Sequence, residues 1–505
     1  MFLVVLLLIA SADSYRILGL FPYVGKSHFK VFQPALEALA LKGHDVHVVS
    51  YFPSNNNIET YHDVQLLDMN NSSEHTIRFD VDYTTRLVKY LTPVEFGEMS
   101  IEICSNLNNP DVLKLKDMQF DVVLVELFNT DCFLGLVHQL KAPFIGVASH
   151  VLMPFTNKII GNVDNPSYIP NQFMHFSDKM SFLERLENTF VYLLSHVLHY
   201  IYVEQPDNEI IRQHFGNDMP YVGELAKNVS LILVNSHFTL NLPRPLVPGI
   251  IEISGMHIGQ PKKPPMNIEK WINESKDGVI YFSMGSMIKG HTFPEHKKQA
   301  FLRAFGRLKQ RVLWKWENDT MPGKPDNVMI QKWMPQFDIL CHPNVKGFVS
   351  HGGLLGTTEA VHCGVPVVVM PQFGDQHTNA RALEAGGGGI VLDFHNIEED
   401  TVYRALKTIL DPEFNKKAKQ LSERFRDRPM PPLETAIYWI EYVARHKGAD
   451  HMRTAAVNMP FYQYLLLDVI AFLILALAFT IFIVYHTIRI TCGMCCKKTQ
   501  KVKKS

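Results

Sequence analysis

Short apolar runs bounded by turns, with helical spacing between them, recur in two series along this chain, and that pattern admits few folds. RILGLFP (Arg16–Pro22) reads as a buried strand. Lys30–Lys42 follows with Phe32, Leu36, Leu39 and Ala40 at helical spacing, and Gly43 stands where a glycine closes a helix. VHVVS (Val46–Ser50) is the next strand. A strand, a helix and a second strand in this order are the unit of a parallel sheet. FDVVLVEL (Phe120–Leu127), FIGVAS (Phe144–Ser149) and LILVNS (Leu231–Ser236) extend the first series, with LILVNS as its expected last strand. The stretch from Gly255 to Asn267 is rich in proline and polar residues and reads as a linker. A second series starts at GVIYFSMGS (Gly278–Ser286). It continues through Val312–Trp316, Val328–Trp333, Gly347–Gly353, Pro366–Pro371 and Gly389–Phe394. The expectation is an α/β chain of two Rossmann-like, doubly wound domains facing a cleft. Ligands of such sheets bind outside the carboxyl ends of the strands. A length of 505 residues suits two cores.

The ends differ from the body. Residues 1–14 (MFLVVLLLIASADS) read as a secretory signal peptide. Val469–Tyr485 runs for seventeen residues without a charge and extends to Ile488, enough to cross a bilayer. Arg489, Lys497, Lys498, Lys501, Lys503 and Lys504 follow, which places the tail in the cytosol and the bulk in the lumen. Lys501 and Lys503 in the final KVKKS resemble the dilysine retrieval signal of endoplasmic reticulum membrane proteins. The expected organisation is therefore a first domain over 15–254, a linker over 255–277 and a second domain over 278–445. A juxtamembrane segment over 446–468, a transmembrane helix over 469–488 and a basic tail over 489–505 complete it. Asn70, Asn71, Asn228, Asn273 and Asn318 head N-x-[ST] sequons, in keeping with a lumenal body. Cys104, Cys132, Cys341 and Cys363 are scattered and allow no pairing to be assigned, while Cys492, Cys495 and Cys496 lie in the tail. With 50 acidic against 49 basic residues, no basic excess points to nucleic acid. Ser181–Val203 is apolar in its second part but interrupted by His196 and His199, and reads as a core or acceptor-site helix rather than a second span.

The richest segment is HGGLLGTTEAVHCGVPVVVMPQFGDQ, His351–Gln376. A strand ends at Ser350, then His351, Gly352 and Gly353 turn the chain into a helix. Glycines let backbone N–H groups approach a ligand, and a helix start favours phosphate. His351 can donate to a phosphate oxygen, and Glu359 suits ribose hydroxyls. Asp375 and Gln376, just past the next strand, suit sugar hydroxyls. Trp333 and Gln336 follow another strand end, where an exposed tryptophan can stack on a base. Gly285 and Ser286 offer a second phosphate contact. Four strand ends thus converge on a site for a nucleotide-diphosphate sugar.

FVSHGGLLGTTEAVHCGVPVVVMPQFGDQ resembles the signature of the UDP-glycosyltransferases, and the likeness extends over almost the whole chain, most nearly to the membrane-bound animal branch. The resemblance implies a GT-B fold, with acceptor bound by the first domain and UDP-sugar by the second. It implies that Trp333 stacks on uracil and that Gln336 and Glu359 bind ribose. Ser286, His351 and the backbone from Gly353 to Gly356 would bind the diphosphate, and Asp375 with Gln376 the sugar. Leu355 stands where relatives carry Asn or His, so backbone donors must hold more of the phosphate. Lys315 stands where some relatives have Arg.

His28 follows the first strand, and an imidazole there can take a proton from an acceptor hydroxyl. It matches the catalytic histidine of the family, which an acidic residue orients. Glu126, at a strand end, and Asp131, five residues on, both fit that role. Asp80 and Asp82 form a DxD triplet that reads as solvated surface. No cluster with metal-ligand spacing appears in the sequence, so the site is expected to use neither metal nor cofactor, the UDP-sugar being a co-substrate. The expected reaction is inverting transfer of a hexose, glucose before glucuronate, to a hydroxyl of a small lipophilic acceptor, giving a β-glycoside of the detoxification type. The expected partners are the donor, the acceptor and membrane lipid around one helix, with self-association compatible and nucleic acid excluded. A non-catalytic, membrane-anchored binder of lipophilic ligands is the alternative.

Overall fold

The structure is a computed structural model that describes residues 14–66 and 88–502, with side chains from 14–66 and 90–494. The expected signal peptide (apart from Ser14), Asn70, Asn71, the Asp80–Asp82 triplet, Lys503 and Lys504 lie outside the described residues. The chain forms two compact units, Met1–Arg453 and Thr454–Ser505.

The first unit holds two sheets. One contains β1 (Arg16–Phe21), β2 (Asp45–Ser50), β3 (Tyr61–Gln65), β4 (Val122–Glu126), β5 (Phe144–Ala148), β6 (Val229–Val234) and β7 (Ile250–Glu252), in the order β3-β2-β1-β4-β5-β6-β7. The other contains β8 (Val279–Ser283), β9 (Arg311–Lys315), β10 (Val328–Gln331), β11 (Val345–Ser350), β12 (Val367–Val369) and β13 (Gly389–Val391), in the order β10-β9-β8-β11-β12-β13. Every pairing is parallel. Central strands such as β4, β5, β6 and β8 are buried along their whole length, as helices on both faces of a sheet require. The strand order reverses between β1 and β4 in one sheet and between β8 and β11 in the other. These two switch points open crevices at the carboxyl ends of the strands, and such crevices bind ligands.

Two segments distribute differently from the sequence expectation. Helix Met266–Asn273, in the expected linker, buries Ile268 and Ile272 in the second core. Helix Pro432–His446, in the expected second domain, returns to the first and buries Ala436, Ile440 and Val443 among Ile17, Phe29 and Val122. Its apolar residues recur at three- and four-residue intervals, a pattern that makes one face sticky without naming which sheet receives it.

Among the described residues, two disulfides join Cys104 to Cys132 and Cys341 to Cys363. The Cys104–Cys132 bridge ties helix Val88–Cys104 to the turn after β4. Replacing both Cys104 and Cys132 by serine is expected to destabilise this half by about 2–4 kcal/mol, read as a lowered thermal midpoint.

In the second unit, helix Leu467–Val502 carries a stretch, Leu467–Met494, long and apolar enough to cross a membrane, its most apolar 18 residues having a mean hydropathy of 2.8.

Candidate functional site

At the second switch point, β8 runs into Gly285 and β11 into His351–Gly353. Gly285 (φ +78) and Gly352 (φ +87) take left-handed backbone that favours glycine. The His351 ring lies between glycines. A Cβ on Gly285 would come within 2.6 Å of its Cε1, and one on Gly353 within 2.4 Å of its Nε2. Burial, with the nearby Lys315 charge, lowers the His351 pKa to about 4, so the imidazole is neutral at pH 7. Its Nδ1 is buried without a partner. Lys315 Nζ donates to the Gly285 carbonyl at 2.8 Å and pairs with Glu317 at 3.3 Å, which places a cation behind this corner. Helix Leu354–Cys363 starts at the same corner and ends at Gly364 in left-handed conformation.

One turn along that helix, Gln336 Nε2 donates to Glu359 Oε2 at 2.6 Å. A Cβ on Gly356 would stand 3.0 Å from the same Gln336 nitrogen. Burial raises the Glu359 pKa to about 7, opposed by the Gln336 hydrogen bond and by the charge of Lys30 from the first half. Trp333 is 69% exposed, and Ser286 is exposed. Asp375 accepts from Asn379 Nδ2 at 2.9 Å. Burial raises its pKa, and the Asn379 bond and the His28 charge oppose that rise. Gln376 turns its side-chain oxygen to the backbone N–H of Gln372 at 2.9 Å and so shapes the loop after β12.

At the first switch point, β1 leads through Gly25 into helix Lys26–Leu41, which carries His28 on its first turn. His28 Nδ1 lies 2.9 Å from Oε1 of Glu126, the last residue of β4. The Glu126 side chain is 1% exposed and that of His28 20%. Of the two acids the sequence left open, Glu126 is therefore the one paired with His28. Asp131 instead lies 3.6 Å from His199 Nε2. The reason is local. Asn129 takes a positive φ of 54°, and the chain then starts the turn Asp131–Phe133, directing Asp131 toward helix Phe182–His199.

The halves meet at this site. Thr378 Oγ1 donates to the carbonyls of Gln172 (2.9 Å) and Met174 (3.3 Å). Leu355 packs against the apolar cluster of the first half that holds Phe29 and Phe32, so its side chain makes an interdomain contact. Phe128 stands 4.6 Å from His28, ring to ring, and Phe96 and Phe173 continue this wall.

Sequence reasoning missed several of these residues. Lys30 and Asn379 are helical polar residues with no local signal. His150 directly follows the β5 run in FIGVASH, the position that singled out His28 after β1, and could have been found by the same logic. Its ring stands 5.9 Å from His28, and its pKa is lowered to about 4 by burial and by the His28 charge. His150 Nδ1 donates to the Val151 carbonyl at 2.7 Å.

A model of the family described as UDP-glucoronosyl and UDP-glucosyl transferase matches residues 25–502. A UDP-glycosyltransferase UGT5 of Dactylopius coccus is 44% identical, covering 99% of each chain. UDP-glucosyltransferase 2 of the same organism is 39% identical, covering 95% of this chain and 93% of its own. UDP-glucuronosyltransferase 1A9 of Mus musculus is 32% identical over 100% of this chain and 97% of its own. Among solved structures, the glycosyltransferase of kitacinnamycin superposes with a TM-score of 0.59 at 16% identity, covering 86% of this chain and 99% of its own. CalG4, the calicheamicin glycosyltransferase, gives 0.56 at 16% identity with the same coverage.

Proposed function

The chain belongs to the family of UDP-glucuronosyl and UDP-glucosyl transferases and is a glycosyltransferase with a GT-B fold, and from that premise we propose that it transfers glucose from UDP-glucose to a hydroxyl of a small lipophilic acceptor, with inversion. The observation that carries this reading is the His28–Glu126 pair at one switch point, whose His28 charge acts on Asp375 from the loop after β12 in the other sheet. His28 Nε2 takes the acceptor proton, and Glu126 stabilises the imidazolium. The acceptor oxygen attacks the anomeric carbon from the face opposite the diphosphate. The bond to the UDP oxygen breaks, UDP leaves with the electron pair, and a β-glycoside remains. The backbone N–H groups at Gly353–Gly356 and neutral His351 stabilise the departing diphosphate. Trp333 stacks on uracil, Gln336 and Glu359 hold ribose, Ser286 supports the diphosphate, and Asp375 with Gln376 and its loop receives the sugar. No cofactor has a part in these steps.

Glucose is favoured over glucuronate on two grounds. A 39% identical relative bears the name UDP-glucosyltransferase. Arg244, the cation that could meet a glucuronate carboxylate, has its charge answered by Asp164 and Glu252. The aromatic wall beside His28 supports an apolar acceptor. Helix Leu467–Val502 would anchor the body on the lumenal side of the endoplasmic reticulum with its basic end in the cytosol. The exposed sequon residues Asn228, Asn273 and Asn318 are compatible with that side.

The test is a panel of UDP-glucose, UDP-glucuronate and UDP-galactose against phenolic acceptors, with products read by mass spectrometry. A hexoside from UDP-glucose is expected, and a product from UDP-glucuronate alone would overturn the donor assignment. No turnover with any pair would favour the non-catalytic binder. Trp333→Ala should raise KM for the donor roughly tenfold, the loss of one base stack, and leave the thermal midpoint unchanged because the ring is exposed.

A further inference from the structure

At the other end of the first sheet, one strand length or about 17 Å from the cleft, three donors converge that the transfer reaction does not use. Asp45 opens β2, and His47, two residues on, shares its face of the strand. The parallel register sets His62 of β3 directly beside His47, and Arg16 of β1 beside Asp45. Both imidazoles turn Nε2 to one oxygen. His47 Nε2 lies 3.2 Å and His62 Nε2 3.0 Å from Asp45 Oδ1. The donor atoms all lie within 4.8 Å of one another.

We propose that Asp45 Oδ1, His47 Nε2 and His62 Nε2 form a binding site for a divalent ion of the zinc class, which ties β3 to β2 and stands apart from catalysis. Ligands held at about 2.0–2.1 Å in tetrahedral geometry stand about 3.3 Å apart, close to the separations from the shared carboxylate oxygen. Two imidazoles and one carboxylate suit zinc and its first-row neighbours rather than magnesium or calcium, which take oxygen ligands. The groups that hold the ligands are also present. Arg16 Nε bonds Asp45 Oδ2 at 2.6 Å and leaves Oδ1 directed at the imidazoles. Phe120 stands edge-on to the His47 ring at 5.6 Å. The His62 side chain is 46% exposed and gives an ion and its water a path in. Among the described residues, a second three-residue grouping of ligand types, Cys104, Cys132 and Asp207, is closed to this use because its cysteines are joined in a disulfide.

Chain order hides the site. His62 follows His47 by fifteen positions in the chain, and only strand pairing makes them neighbours. The alternative is an ion-pair network in which Asp45 alone receives both rings.

The experiment uses the full chain in detergent, stripped with EDTA and titrated with cobalt(II). A nitrogen and oxygen site has a visible spectrum distinct from the thiolate bands that cysteines of the tail would give. One cobalt per chain with the nitrogen and oxygen spectrum, displaced by zinc, is expected. His62→Ala should weaken that binding by about tenfold or more, with UDP release from UDP-glucose unchanged as proof of folding. Asp45→Asn repeats the loss through a different ligand should His62→Ala fail to fold. Absence of the nitrogen and oxygen spectrum in the parent, or equal binding by parent and variants, overturns the site.

Discussion

His28→Ala is expected to slow glycoside formation by about 10²–10⁴-fold in kcat, with KM for the UDP-sugar within a few fold of the parent. The separation follows from the geometry. His28 belongs to the first half and its side chain bonds Glu126 there, so its loss removes the base while the hydrogen bonds that shape the donor side, Gln336 to Glu359 and Gln376 to Gln372, stay in place. Glu126→Gln should approach the same defect, because the amide keeps the shape and removes the charge that stabilises the imidazolium. Asp131→Asn should leave kcat near the parent value, since Asp131 lies against His199 rather than His28. Equal activity of His28→Ala and parent in a UDP-release assay would refute the base. A larger kcat defect in Asp131→Asn than in Glu126→Gln would refute the pairing.

Gly353→Ala is expected to cost about 10²–10³-fold in kcat/KM for the donor. The added methyl would sit 2.4 Å from His351 Nε2, so either the ring or the start of helix Leu354–Cys363 must move. Both possibilities displace the groups that face the diphosphate. Gly259→Ala is the matching control, because a Cβ there meets nothing within 4 Å and its backbone is not left-handed. Calorimetric UDP binding by Gly353→Ala at parent affinity would show that this corner does not hold the phosphates.

Much of the fold was legible. The central strands are continuous apolar runs, and the helices between them keep a 3.6-residue period, because parallel strands covered on both faces need both. β3 was not legible. Its residues YHDVQ are mostly exposed at a sheet edge, and an edge strand with one dry side carries little periodic signal. β7 has three residues, too few for a pattern. Helix Pro432–His446 was visible as a helix, but its partner was not, because an apolar stripe specifies that it must be covered and not by what.

The site divides in the same way. His351, Gly353, Gly356, Glu359, Asp375 and Gln376 fall in one stretch, where turn chemistry and helix spacing fix their neighbours, so its glycine corner and the helix after it were readable from the order of residues. Leu355 was readable only as a departure, since its contact lies in the other half.

The amino-acid order by itself therefore determined two parallel sheets, a glycine corner at the carboxyl end of a strand in the second, an imidazole after the first strand and an apolar helix near the C-terminus. Periodicity and turn preference are local properties, and a linear sequence contains them in full. Tertiary structure alone decided that Glu126 and not Asp131 meets His28, that the charge of Lys30 acts on Glu359, and that Asp45, His47 and His62 share one point. Those choices depend on strand order and register, which arise when chain segments far apart in sequence are packed side by side.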